Sequence, residues 1–234
     1  MSGHLNPGGQ QFRDDDGTAR PRVRAALAAY QAGQASEQDA LTALAAARLL
    51  VPVVAVLADG SAAEGDKNSE MVLPTLIGQD GRPAVLAFTG LDALARWRPD
   101  ARPVPAEADR VWRAAVADGC AVVIDVAGPV PLAVEGARLA ALAAGRPVPP
   151  VHQDEDVYAE VAAAIAADSV IAGFSLAPSQ QVDLAVRLHL AAGDRGAGDW
   201  RSAMNQVAQS IAGRLAGRLR RGVEFSVTRD PVGS

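Results

Sequence analysis

Few residues in this chain carry thiol, imidazole or metal chemistry. Cys120 is the single cysteine, and His4, His152 and His189 are the three histidines. A nucleophilic cysteine needs a lowered pKa, which a nearby positive charge or a helix N-terminus supplies, and partial exposure. Cys120 instead opens an apolar strand after Gly119, with no histidine close in sequence. It reads as a core cysteine, with a hydrolase or thiol enzyme as the competing use. The histidines fall in the N-terminal tail, a connector and the polar face of a strand, and no two share a metal-ligand spacing. Two acidic runs, Asp14-Asp15-Asp16 and Asp154-Glu155-Asp156, carry the oxygen donors a hard cation takes. The second run stands where a helix begins, so capping and the helix dipole explain it. Arg214, Arg218, Arg220 and Arg221 close the last helix, where cations suit the opposite end of the dipole. No Gly-x-x-x-x-Gly-Lys-Ser/Thr, Gly-x-Gly-x-x-Gly or Gly-x-Ser-x-Gly pattern is present. The loop Gly193-Asp194-Arg195-Gly196-Ala197-Gly198 has the wrong spacing for a dinucleotide. These residues give no coherent catalytic constellation, and a non-enzymatic protein without metal or cofactor is expected.

Charge narrows the partners. The formal net charge is −5, which argues against generic binding to nucleic acid or an anionic membrane. No run of 18 apolar residues occurs, and the first 20 residues lack the basic and apolar regions of a secretory signal. A cytoplasmic protein is expected. The 234 residues suffice for one large domain or two small ones. Hydrophobic residues make up 49%, but alanine dominates them and only 4% are aromatic. Alanine buries little area, so Leu, Val, Ile and a few rings must anchor the cores. Phe88, Trp97 and Trp112 serve the first half, and Phe174, Trp200 and Phe225 the second.

Helical spacing of Val23, Ala26, Leu27 and Tyr30 marks a first helix. Ser36, with Asp39 three positions on, resembles a capping box opening a second that runs to Ala47. The apolar run Leu49 to Leu57 reads as a buried strand, whose Pro52 suggests an edge or a strand start. A polar loop follows from Ala58 to Ser69. The runs Met71 to Ile77 and Pro83 to Phe88 flank Gly78-Gln79-Asp80-Gly81-Arg82, a hairpin signal because glycine accepts positive φ. Thr89 can cap a short helix, Leu91 to Trp97, and Pro103 and Pro105 precede another over 106–118. Cys120 to Val126 is a central strand, Pro131 to Val134 a short one, and Ala137 to Ala144 a helix. Pro147, Pro149 and Pro150 form a stiff connector. Beyond it stand a helix lined by Val157, Val161 and Ile165 and strands over 169–177 and 182–190. Asp199 then caps a long helix with Trp200, Met204, Val207, Ile211, Leu215 and Leu219 on one stripe, and Val223 to Val227 closes as a strand. That stripe can cover its own sheet or form a homodimer.

One stretch is more specific. Asp80-Gly81-Arg82, then Val85-Leu86-Ala87-Phe88-Thr89-Gly90, then Leu91, Leu94, Trp97 and Pro99 resembles the N-terminal domain of the SseB (enhanced serine sensitivity) family. Where that family carries an Asn-Pro-x-Gly-like turn after a strand, this chain reads Ile124-Asp125-Val126-Ala127-Gly128-Pro129. The resemblance covers Leu49 to Ala144, and Asp156 to Val227 is similar in pattern to the family's C-terminal domain. It implies no catalytic residues.

The expected fold is α+β, in two small domains that each pack helices on a mixed or antiparallel sheet. A disordered arm covers 1–18, an N-terminal domain 19–146, a proline-rich linker 147–153 and a C-terminal domain 154–230. Phe88 and Trp97, nine residues apart, frame Thr89 and Gly90 at a strand-to-helix junction, with Asp125 as the neighbouring turn residue. They form either a packing anchor or a groove for a partner or ligand. The first reading of function is binding or regulation through an unknown protein partner. The alternative is a small-molecule sensor, such as one for an amino acid, with its pocket at Phe88, Thr89, Gly90, Trp97 and Asp125.

Overall fold

A computed structural model describes residues 12, 15–57, 69–72, 74–78, 81–166, 170–190, 199–215 and 217–229. The expected arm before residue 12, the loop over 58–68, the loop at Gly193 to Gly198 and the side chains of Asp199 and Trp200 lie outside the described residues. The fold is α+β, and the chain divides into two compact units: 1–28 with 40–148, and 29–39 with 149–234.

Helix α1 is Pro21–Gln31 and α2 is Glu37–Leu44. Proline at the first position of α1 removes an amide that would have no partner there. The capping box before α2 is formed: the Asp39 carboxylate accepts from the Ser36 amide at 2.9 Å, and the Asp39 amide donates to Ser36 Oγ at 3.2 Å.

Two sheets build the first unit. In one, β1 (Arg48–Leu57) lies between β2 (Ser69–Val72) and β5 (Arg102–Glu107), in the order β2-β1-β5. The other has the order β3-β4-β6-β7, from β3 (Thr75–Ile77), β4 (Pro83–Ala87), β6 (Ala121–Ile124) and β7 (Leu132–Val134). The hairpin β3–β4 is antiparallel, with Gly81 at φ 78 in its turn. β6 is central, as its apolar sequence predicts, and runs parallel to β4. Helix α3 is Leu91–Trp97, α4 is Ala108–Ala117 and α5 is Gly136–Ala143.

Two expectations about proline need correction. Pro52 lies within the middle strand, β1, rather than at an edge. Residues 48–53 of β1 pair with β5 and 54–57 pair with β2. Alternation points the nitrogen of Pro52 to the side away from β5, the side Leu50 uses to pair with Phe88, and among the described residues no strand is paired there at residue 52. Residues 102–107, around Pro103 and Pro105, are a strand and the helix begins only at Ala108. Pro103 faces Pro52 across the ladder and Pro105 faces Leu50. Both prolines thus share the parity that turns their nitrogens outward from an edge strand, where no donor is required.

In the second unit, α6 (Glu155–Ile165) is capped by Asp154, whose carboxylate accepts from the amides of Asp156 and Val157. Strands β8 (Ile171–Ala177), β9 (Leu184–Leu190) and β10 (Val223–Arg229) form a sheet of order β10-β9-β8, antiparallel at β8–β9 and parallel at β9–β10. The parallel pair is connected through α7, Asp199–Leu215. Val157, Val161, Leu184, Val186, Leu188, Val207, Ile211 and Leu215 form one core, so the apolar stripe of α7 packs on its own sheet. Arg218 lies beyond that helix and reaches Glu37 at 3.1 Å and Asp154 at 2.7 Å, both carboxylates buried. Tyr30 donates its hydroxyl to the Arg218 carbonyl, and Arg220 lies over the Tyr30 ring. Arg214 pairs with Glu160 and Arg221 with Asp183. Arg214, Arg218 and Arg221 are therefore individual ion-pair partners, and of the four arginines only Arg214 stands in the last turn of α7. Among the described residues no helix is long and apolar enough to cross a membrane.

Candidate functional site

The parallel pairing of β4 and β6 positions the candidate site. Their register sets Ala87 opposite Ile124, so the next residues of both strands emerge together at the carboxyl ends of a parallel pair. On the β4 side these are Phe88 and Thr89, and on the β6 side Asp125. Phe88 also pairs with Leu50 of β1, with amide–carbonyl distances of 2.7 and 2.8 Å, which joins the two sheets at this point.

Asp125 is buried and has φ 48, the left-handed region that non-glycine residues rarely enter. Its amide donates to the Ala87 carbonyl at 3.0 Å. Its carboxylate accepts twice from Thr89, from the amide at 2.8 Å and from the hydroxyl at 2.6 Å. Burial pushes the Asp125 carboxyl above its ordinary range, while the two Thr89 hydrogen bonds oppose that shift. Thr89 does not cap α3, as the sequence suggested. Gly90 is the N-cap residue, and the Thr89 hydroxyl is committed to Asp125. Phe88 is fully buried and its ring lies 5.6 Å from that of the half-buried Trp97. The structure thus gathers all five sequence candidates, Phe88, Thr89, Gly90, Trp97 and Asp125, into one neighbourhood.

Arg48, which sequence reasoning passed over, sits behind them. Its side chain is only 2% exposed. The guanidinium donates to Thr89 O at 3.0 Å, to the Asp15 carboxylate at 2.6 Å and to Thr18 O at 2.6 Å. The last two partners belong to the segment before α1, the end of the stretch expected to be a disordered arm. That segment continues across the junction, where the Leu91 amide donates to the Gly17 carbonyl at 2.9 Å. Gly17 has φ 74, and a Cβ there would run into the Leu91 side chain. A Cβ on Gly90 would lie 2.8 Å from the Ala19 nitrogen. Two glycines therefore let the two pieces of backbone approach. The sequence held a faint signal for this arrangement: Arg48 is the lone charge at the head of the apolar run 49–57. Nothing in the spacing linked it to Asp15.

The other chemistry-bearing residues stand apart from the junction. Burial and the Asp118 charge push the Cys120 thiol up, and it donates weakly to the Asp118 carbonyl at 3.6 Å, so it is protonated at neutral pH. His189 lies between Ser175 and Thr228 on the sheet of the second unit. Among the described residues no three His, Cys, Asp or Glu are grouped to hold a metal ion. Of the first acidic run, Asp15 is paired with Arg48 and Asp16 accepts from the amide and hydroxyl of Thr18, which holds its carboxyl low.

The SseB protein N-terminal domain matches residues 23–141, just over half of the chain. The chain belongs to the SseB family. No curated protein and no solved structure matches it. The SseB match encloses Arg48, Phe88, Thr89, Gly90, Trp97 and Asp125, whereas Asp15 to Ala19 precede it.

Proposed function

We propose that this SseB-family chain acts by binding a polypeptide at the Arg48–Thr89–Leu91 junction, as a non-enzymatic binding or regulatory protein. One observation carries the reading: the junction already holds a stretch of turned polypeptide, residues 15–19, through its main-chain carbonyls and one ion pair. Groups that bind main-chain carbonyls and an acidic side chain suit a peptide ligand. A small amino acid would need an unengaged carboxylate or ring at the same place. Both oxygens of Asp125 are engaged by Thr89, and Phe88 is buried beneath Trp97. The sensor alternative therefore finds less support than polypeptide docking.

A photo-crosslinking residue in place of Ala95, an exposed position on α3, tests the reading. The expected result is a discrete protein adduct in cells, missing when the same residue replaces the exposed Tyr158 of the second unit. Stabilisation of the purified protein by a free amino acid, with no adduct at Ala95, would instead establish the sensor.

A further inference from the structure

Resting on that reading, we infer that residues 15–19 are an exchangeable strap, and that the partner replacing it is a segment presenting Asp-x-Gly on the same turned backbone. Asp15, Asp16, Gly17, Thr18 and Ala19 include no large apolar side chain. Three polar contacts hold the strap: Asp15 to Arg48, Thr18 O to Arg48, and Gly17 O to the Leu91 amide. Any chain with the same backbone course and the same two residue types satisfies all three.

The receptor side is fixed more firmly. Arg48 is buried in β1 and anchored by Thr89 O, and a buried guanidinium stripped of its carboxylate is strongly unfavourable. Simple release of the strap would take from Arg48 its carboxylate and the Thr18 carbonyl together. Exchange for another chain that brings a carboxylate and a carbonyl would not. The geometry also sets the sequence of the incoming chain. An acidic residue must reach Nε of Arg48. Two positions later glycine is favoured, because φ is positive and a Cβ would press on the Leu91 side chain. The fourth position contributes its carbonyl to Arg48, so its side chain is unrestricted by these contacts. The strap thereby acts as an internal competitor, lowering the apparent affinity of the partner until exchange occurs.

Fluorescence anisotropy on the full chain tests this with a labelled peptide copying residues 15–21, Asp-Asp-Gly-Thr-Ala-Arg-Pro. Two variants loosen the strap by different means. Gly17→Val drives a side chain into Leu91, and Asp15→Asn removes the ion pair without added bulk. Both are expected to bind the peptide at least about tenfold tighter than the wild type, because the competitor is weakened. Adding Arg48→Gln to Asp15→Asn should abolish binding, as should a peptide with Asn at its first position or Val at its third. Equal binding to wild type and both variants would overturn the inference, as would indifference to the peptide's first residue. If Gly17→Val does not fold, Asp15→Asn decides alone. Adducts at Ala95 without peptide binding would leave polypeptide docking standing and remove the strap. Loss of both results would remove both readings.

Discussion

Asp125 holds a conformation and a protonation equilibrium that most aspartates avoid, and both can be measured. Asp125→Ala leaves the buried Thr89 amide and hydroxyl without their acceptor, and should cost about 2–3 kcal/mol in chemical denaturation. Asp125→Asn keeps an acceptor for the Thr89 amide and tolerates positive φ, so its cost should stay within about 1 kcal/mol. Its pH dependence differs in a defined direction. Burial raises the folded-state pKa of Asp125, so between the ordinary aspartate value and the raised one the native state binds more protons than the unfolded state. Stability from this group is therefore lost as pH rises through that window. The stability of wild type relative to Asp125→Asn should fall over the same interval, and a flat or rising difference would contradict the assignment. At this scale the sequence was half legible. Phe88, Thr89, Gly90, Trp97 and Asp125 are close in sequence or carried by neighbouring parallel strands, so motif and pattern brought them together. Arg48 and Asp15 were not found, since their pairing joins positions 33 residues apart. No local periodicity encodes such a contact.

Elements were more readable where a local signal has one physical meaning. The Ser36–Asp39 capping box, the Asp154 cap and the alternating apolar face of β9 each follow from short-range rules. Ser36→Ala should therefore cost about 1 kcal/mol, measured as a shift in the denaturation midpoint, because one amide at the start of α2 loses its acceptor. Ile211→Ala, in the middle of α7 and fully buried against the second sheet, should cost about 2–5 kcal/mol by the same measurement. A cost below about 1 kcal/mol would mean that the α7 stripe is not a core face. Prolines misled the reading because a local breaker can be neutral in a suitable ladder. Whether Pro52, Pro103 and Pro105 disrupt a strand depends on which way each nitrogen points, and that parity is set by partners far along the chain.

For the whole molecule, proline content alone placed the division near residues 147–153. The second compact unit also includes 29–39, a segment more than a hundred residues upstream. Arg218 explains its attachment through Glu37 and Asp154, supported by Tyr30. Burial works against the Arg218 charge, but the two carboxylates outweigh it and raise its pKa. Arg218→Met would leave Glu37 and Asp154 buried without their cation, a loss of about 3–5 kcal/mol. Hydrogen exchange should then show β9 and residues 29–39 losing protection together. Unchanged protection in 29–39 would show that the segment is held by something else. Such a dependence is invisible to any reading that scans for linkers, because the boundary is discontinuous in the chain.

The central claim is that a polypeptide docks at the Arg48–Thr89–Leu91 junction. Its most direct test is deuterium exchange on the full chain, with and without the protein captured through Ala95. The account predicts faster exchange in residues 15–19 as they are displaced, with any slowing confined to the segments around Arg48 to Leu50 and Phe88 to Trp97. Protection centred on β8 to β10, or no change in either residues 15–19 or the junction, would contradict it.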